Sequence, residues 1–251
     1  MKVIYHSLSD KGTTREHNED AYLNDTMYSL FMVADGMGGY QGGDVASKVT
    51  LSCILSYLEN ATQNKGVFTQ RIFREAIAYA NRSIYNLRKA DASIKAIGTT
   101  FVCFIPGETG GFAFNIGDSR LYRFHLGKLT QITRDHSAEQ EIPEFMRNLN
   151  GGKYSGLLSR ALGTNETVEA DVFDVECARG DILLLCTDGL YTMISDADII
   201  KVLGSRDPLK DKTRQLVNKA NKAGGKDNIT VTLIQIESDD HPEKFEMVES
   251  V

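Results

Sequence analysis

Apolar residues gather in short runs separated by glycine and by polar stretches. The runs Tyr28–Ala34, Thr99–Ile105, Phe112–Ile116, Arg120–Phe124, Val168–Val175, Ile182–Cys186 and Ile229–Ile236 read as β-strands. Several alternate polar and apolar residues, the period of half-buried antiparallel strands. The stretch RLYRFHLGKLTQI predicts a hairpin turning at Gly127 and Lys128. Two longer, consecutive segments have helical spacing. Asp44–Leu58 sets Val45, Val49, Leu55 and Leu58 along one face with Ile54 beside them. Thr69–Lys89 does the same with Phe73, Ala76, Ile77, Ala80, Ile84 and Leu87. Ser195 with Asp198 marks the capped start of a shorter helix, and Asp207–Pro208 opens another that stops at Gly224–Gly225. Strands in blocks and helices in pairs predict an α+β fold, not a wound βαβ sheet.

Composition narrows the class. Over 251 residues, 41% hydrophobic and 25% charged positions describe an ordinary globular chain. With 34 Asp+Glu against 28 Lys+Arg, the net charge of −6 argues against a nucleic-acid partner. No run of about 18 apolar residues is present to span a bilayer. The opening MKVIYHSLSDKGTTREHNED lacks the pattern of a secretory signal, so a cytoplasmic protein is expected. Cys53, Cys103, Cys177 and Cys186 lie singly in the sequence and are expected as reduced core thiols; none has the Arg that a tyrosine-phosphatase cysteine loop requires. The five His show no zinc-ligand spacing. No linker or repeat divides the chain, which predicts one domain over residues 1–237 followed by an acidic tail over 238–251, and a monomer is expected.

The acidic residues are not all scattered. Asp35 ends the run SLFMVA and Asp188 ends DILLLCT, each followed by glycine; Asp118 follows FNIG, and Asp227 stands in GGKDN before the last strand. Asp-Gly is a common turn signal. Yet Asp35 leads into DGMGGYQGG, with five glycines in nine residues, and Asp188 leads into a helical pattern, so turns do not explain the set. Carboxylates at strand ends without His or Cys suit hard divalent cations, magnesium or manganese, with a glycine carbonyl such as that of Gly36 as a further donor. Two such ions sharing a carboxylate can activate water and clamp a phosphoryl group. Arg15, just ahead of Glu19 and Asp20, is the candidate phosphate grip, because a guanidinium matches phosphate oxygens bidentately.

The segments REHNEDAY, VADGMGGYQGGDVAS, GTTF, NIGDSRLYRF, TRDHS, LSRALG, LLLCTDGLYTMIS and GGKDNITV, in that order from Arg15 to Val231, resemble the metal-dependent Ser/Thr protein phosphatases of the type 2C (PPM) family, most of all its compact bacterial members. The resemblance implies a central β-sandwich of two antiparallel sheets flanked by helix pairs, four layers in the order αββα. It implies that Asp35 bridges two metal ions, that the Gly36 carbonyl binds one, and that Asp188 and Asp227 bind the other. Asp118 would hold a third, weaker ion, Glu19 and Asp20 would hold metal-bound waters, and Arg15 would bind phosphate. Asn228 is expected to support the loop after Asp227.

By the same resemblance the reaction is hydrolysis of phosphoserine and phosphothreonine in proteins, substrates of a Ser/Thr kinase, by a metal-bridging hydroxide. Two alternatives on this fold are a small-molecule phosphohydrolase and a regulatory module without catalysis. Two departures stand out. Some relatives have His after the Asp-Gly, proposed as general acid, where this chain has Met37; His136 in TRDHS is a weaker candidate for that role. The segment 137–155 matches the position of a flap beside the active site, but its sequence departs from the usual pattern.

Overall fold

The computed structural model describes residues 1–38, 42–63, 68–90, 97–107, 110–138 and 156–238. In chain order these form β1 (Lys2–Asp10), β2 (Asp20–Asp25), β3 (Leu30–Met37), α1 (Gly42–Thr62), α2 (Gln70–Ala90), β4 (Gly98–Thr99) and β5 (Phe101–Pro106). Then follow β6 (Gly110–Ile116), β7 (Arg120–His125), β8 (Lys128–Gln131), β9 (Asp171–Glu176) and β10 (Ile182–Cys186). The chain closes with α3 (Asp188–Tyr191), α4 (Asp196–Leu203), α5 (Leu209–Lys222) and β11 (Ile229–Ser238). Of the expected flap only residues 137 and 138 are described, and the expected tail from 239 onward lies outside the described residues.

Two sheets, antiparallel throughout, stack face to face. One has the order β1–β11–β10–β7–β8; the other runs β2–β3–β5–β6–β9, with β4 beside β3. Strand alternation sorts side chains into three apolar layers. From β3, Leu30, Met32 and Ala34 face α1 and α2, where the Phe73 and Phe114 rings meet tilted with centroids 4.6 Å apart. Phe31 and Val33 of the same strand face the other sheet and meet Val102, Phe104, Leu183 and Leu185. From β10, Ile182, Leu184 and Cys186 face outward onto α4 and α5 through Ile199, Val202, Leu216 and Val217. The order is therefore αββα. Both faces of the central strands are covered, which is why β3 and β10 read as unbroken apolar runs although their neighbours are antiparallel.

Several expectations are corrected. Helix α1 buries Ile54 and Leu58 and packs Val49 and Leu55 partly against the core, but Val45 is 39% exposed, and its other buried positions are small and polar as well as apolar (Gly43, Ala46, Ser47, Thr50). The helix lies so close to β2 and β3 that bulk is excluded on that side. Strands β1 and β2 escape the hydrophobic pattern because they join through polar side chains: Asn24 Nδ2 donates to Ser7 Oγ and Asn18 Nδ2 to Ser9 Oγ, each at 2.8 Å. The expected strand Thr99–Ile105 is interrupted at Thr100, whose N–H turns to Asp35 O at 2.9 Å. The hairpin turns at Leu126 and Gly127, one residue earlier than expected, with φ of 47° and 82° as a type I′ turn requires. All four cysteines are free, but Cys53 and Cys177 are only half-buried. Among the described residues no helix is long and apolar enough to cross a membrane.

One buried polar knot holds the start of β10. Asp181 is 1% exposed; it accepts from Arg123 Nε at 2.7 Å and from the Ala178 N–H at 2.9 Å, and shares a 2.5 Å contact with His125 Nδ1. Burial pushes its carboxyl up, but the bonds from His125, Ala178 and Arg123 outweigh this and hold it below its ordinary value. A lowered folded pKa stabilises the protein above the unfolded carboxylate value of about 4, and that stability is lost as pH falls through the folded value. Asp181→Asn is expected to cost about 1.5–3 kcal/mol at neutral pH. It should also flatten the fall in stability below about pH 4. Denaturant titrations at neutral and acid pH check both, and an unchanged acid limb would remove Asp181 from this account.

Candidate metal centre

At one end of the sandwich the strand ends leave a cleft of about 560 Å³. Asp35 reaches it from β3, Asp188 from the first position of α3, Asp227 from the turn before β11, and Asp118 from the β6–β7 connection. Arg15 and Glu19 come from the loop between β1 and β2, and Gly36 follows Asp35. These seven sequence-predicted residues line one cavity. Asp20, the eighth, does not: it stands opposite Asp35 in the β2–β3 register and is 5% exposed, beneath the cleft floor.

The floor is held by hydroxyls and backbone. The Asp35 N–H donates to Thr100 Oγ1 at 2.9 Å, and Asp35 O accepts from Thr99 Oγ1 at 2.8 Å. Thr100 Oγ1 also meets Ser119 Oγ at 2.7 Å, tying the Asp35 strand to the residue after Asp118. Asp20 Oδ2 accepts from Thr187 Oγ1 at 2.8 Å and from Thr230 Oγ1 at 2.7 Å, so it pins the approach to Asp188 against β11. Gly36 and Gly43 pack backbone on backbone: a Cβ on Gly36 would lie 2.1 Å from Gly43 O, and one on Gly43 would lie 2.2 Å from Glu19 Oε2. Glycines 36 and 43 in DGMGGYQGG thus serve this close approach.

Asn228 acts elsewhere than expected. Its Nδ2 donates to Lys11 O and His17 O at 2.9 Å each, and its Oδ1 accepts from the Glu19 N–H at 2.8 Å. It therefore shapes the whole loop that carries Arg15, whose Nη2 donates to Asp227 Oδ2 at 2.7 Å across the cleft mouth. The roles of Thr99, Thr100, Thr187 and Thr230 were hidden because threonine in a strand is also a plain β-former. The motifs GTTF and CTDG were the available signal.

Burial dominates the electrostatics. It pushes the carboxyls of Asp20 and Asp188 up to about 7, against the Thr230 and Thr187 bonds for Asp20 and with the aid of Asp118 and Asp227 for Asp188. Asp35 is raised well above its ordinary value by burial, then by Asp20 and Asp188. Burial also raises Asp118 and Glu19. Two buried oxygens, Asp20 Oδ1 and Asp188 Oδ1, have no hydrogen-bond partner. An all-oxygen donor set with orphaned, desolvated carboxylate oxygens fits a hard divalent cation. Among the described residues no three His, Cys, Asp or Glu side chains converge tightly enough to enclose an ion, so an ion here would keep water in much of its shell, as magnesium does. Met37 lines the cleft without an exchangeable proton, and His136, 2% exposed, does not line it.

Raised carboxyls make the metal-free fold less stable as pH rises from about 4, the unfolded value, toward neutrality, because the folded state retains protons that the unfolded state has lost. A divalent cation displaces those protons. The rise in melting temperature on adding manganese is therefore expected to grow between pH 5 and pH 8, with proton release measurable by calorimetry in buffers of different ionisation enthalpy; a pH-independent rise would contradict it. Gly43→Ala should cost about 1–3 kcal/mol by overpacking. It should also weaken manganese binding, since the new methyl displaces Glu19 and Gly36 together; thermal melts and titrations of the same sample separate the two effects.

The chain matches the model of the family described as protein phosphatase 2C over residues 12–233. It is similar to the Serine/threonine phosphatase stp of Listeria monocytogenes, 33% identical over 90% of this chain and 93% of that protein. Among solved structures it is similar to the Mycobacterium tuberculosis serine/threonine phosphatase PstP/Ppp, with a TM-score of 0.82, 28% identity and coverage of 94% of this chain and 99% of that one. A PstP catalytic domain in complex with two manganese ions aligns with a TM-score of 0.81 and 29% identity, covering 94% of this chain and 99% of the other. With its motifs in order, its four layers and its acidic cleft, the chain belongs to the protein phosphatase 2C family.

Proposed function

We propose that this protein is a manganese- or magnesium-dependent Ser/Thr protein phosphatase. The observation that carries the reading is the gathering of Asp35, Asp118, Asp188, Asp227, Glu19 and Arg15 in one cleft, with the carboxylates desolvated and the guanidinium at the mouth. Asp35, the Gly36 carbonyl, Asp188 and Asp227 would hold the two core ions. Asp118 would hold a third, weaker one, and Glu19 and Asp20 would orient water around them. Bound divalent ions supply Lewis acidity, lowering the pKa of a water and neutralising charge on the phosphoryl group.

The protein's own residues do the rest. Thr99 and Thr100 fix the Asp35 backbone, so its carboxylate needs no rearrangement when it is used. Arg15 pairs with phosphoryl oxygens and orients them, and its loop is preset by Asn228. Hydrolysis transfers the phosphoryl group directly to water: the described cysteines lie outside the cleft, so no thiol is placed to form a covalent intermediate. Met37 gives the leaving alkoxide no proton. Residues 1–237 form the catalytic unit, the protein works as a cytoplasmic monomer, and its substrates are proteins phosphorylated by a Ser/Thr kinase. The non-catalytic alternative is not favoured, since every carboxylate of the motif set is retained, and the small-molecule alternative is not favoured because the relatives this chain matches are named Ser/Thr phosphatases.

Turnover of p-nitrophenyl phosphate and of a phosphothreonine peptide is expected with manganese and is abolished by chelator. Asp188→Asn should lower kcat by about 10²-fold or more. Arg15→Ala should lower kcat/KM by about 10- to 100-fold, from the roughly 1.5–3 kcal/mol of a charge-assisted hydrogen bond. Metal-independent turnover, or full activity in Asp188→Asn, would overturn the reading. Faster turnover of free phosphometabolites than of phosphopeptides would favour the small-molecule alternative.

A further inference from the structure

His136 is directional where a packing residue need not be. It is 2% exposed and lies behind the connection that carries Asp118. The Gly117 N–H can only donate, and it donates to His136 Nδ1 at 3.1 Å. Nδ1 is therefore bare, and the neutral ring carries its proton on Nε2. Nε2 faces Asp171 Oδ2 at 3.2 Å, and Arg160 Nη1 donates to the other Asp171 oxygen at 2.6 Å. The main chain of His136 adds two bonds: its N–H donates to Gly117 O at 2.9 Å, and its carbonyl accepts from the Ser159 N–H at 2.9 Å. Gly117 has φ +97°, a backbone conformation that glycine reaches freely, and its carbonyl also accepts from Asn115 Nδ2 at 3.1 Å. On either side of this knot stand two walls of the cleft, Asp118 and the segment Gly156–Ser159.

An apolar residue of similar volume would fill the space but leave the Gly117 N–H buried and unpaired. We propose that His136 is a positioning residue for Asp118. As an Nε2-protonated imidazole braced by Asp171, it fixes Gly117, aims the Asp118 carboxylate into the cleft and registers it against Ser159. The proposal rests on the reading of Asp118 as the ligand of the third, weaker ion.

Three variants test it. His136→Leu fills the volume, His136→Gln reaches toward Asp171 without an acceptor at the Nδ1 position, and His136→Asn keeps that acceptor. Calorimetric titration of the full chain with manganese, without substrate, should show the weakest site loosened about 10- to 100-fold in the Leu and Gln variants. His136→Asn should restore it to within a few-fold, with the tighter sites unchanged in all three. Long-range proton–nitrogen NMR of the unsubstituted protein should show Nε2 protonated and Nδ1 bare.

A folded His136→Leu with an unchanged isotherm, an Asn variant as weak as Gln, or an Nδ1-protonated ring would each overturn the proposal. If His136→Leu does not fold, the Asn and Gln pair and the NMR decide. Asp118→Asn runs beside them. Weakened binding there with unchanged His136 variants retires this proposal alone. Unchanged binding in Asp118→Asn retires the Asp118 reading and this proposal with it.

Discussion

Negative charge withdrawn from water at one end of two stacked sheets is the condition around which the rest of the structure is arranged. Asp20, Asp35 and Asp188 are held where burial disfavours their ionised forms. A chain left to optimise stability alone would place apolar residues there. The three apolar layers of the αββα sandwich, contributed by strands covered on both faces, hold that end in place. What they hold is a set of carboxylates with unmatched oxygens, a form that divalent ions complete.

The local devices follow from that condition. Hydroxyls of Thr187 and Thr230 meet the Asp20 carboxylate where charged partners would have neutralised it, and those of Thr99 and Thr100 hold the Asp35 main chain without touching its carboxylate. Arg15 is kept at the mouth, paired with Asp227, and not beneath the floor with Asp20. Gly36 and Gly43 let α1 close on β3 so that backbone, not side chain, forms part of the wall. Each choice keeps the carboxylates rigid without satisfying them.

Much of this was legible in the sequence, and unevenly so. The apolar runs located β3, β5, β6, β7, β10 and β11 because both faces of those strands are buried or alternate cleanly. The Asp-Gly strand ends pointed to the cleft because hard-cation chemistry asks for few residue types. Strands β1 and β2 were not legible, since the polar pairs Asn24–Ser7 and Asn18–Ser9 replace the apolar face on which periodicity depends. The buried face of α1 was misread because close packing there selects small residues, and hydrophobicity does not report size. Asn228 looked local and is not; its bonds to Lys11 and His17 span more than two hundred residues of sequence, which no local pattern encodes.

That last span bears on how the protein is made. Among the described residues strand β1 pairs only with β11, Thr13 N bonds Gly225 O at 2.9 Å, and Arg15 meets Asp227, so the first loop of the site is closed by β11. During vectorial synthesis the helix pair and the β3–β5–β6 sheet emerge early, but β1 has no partner until residues near 238 leave the ribosome. Long-range pairing of this kind is slow because loop-closure entropy precedes its reward. The acidic end is thus left open to solvent until β11 has been made, and the cleft is completed only after the rest of the sandwich is in place.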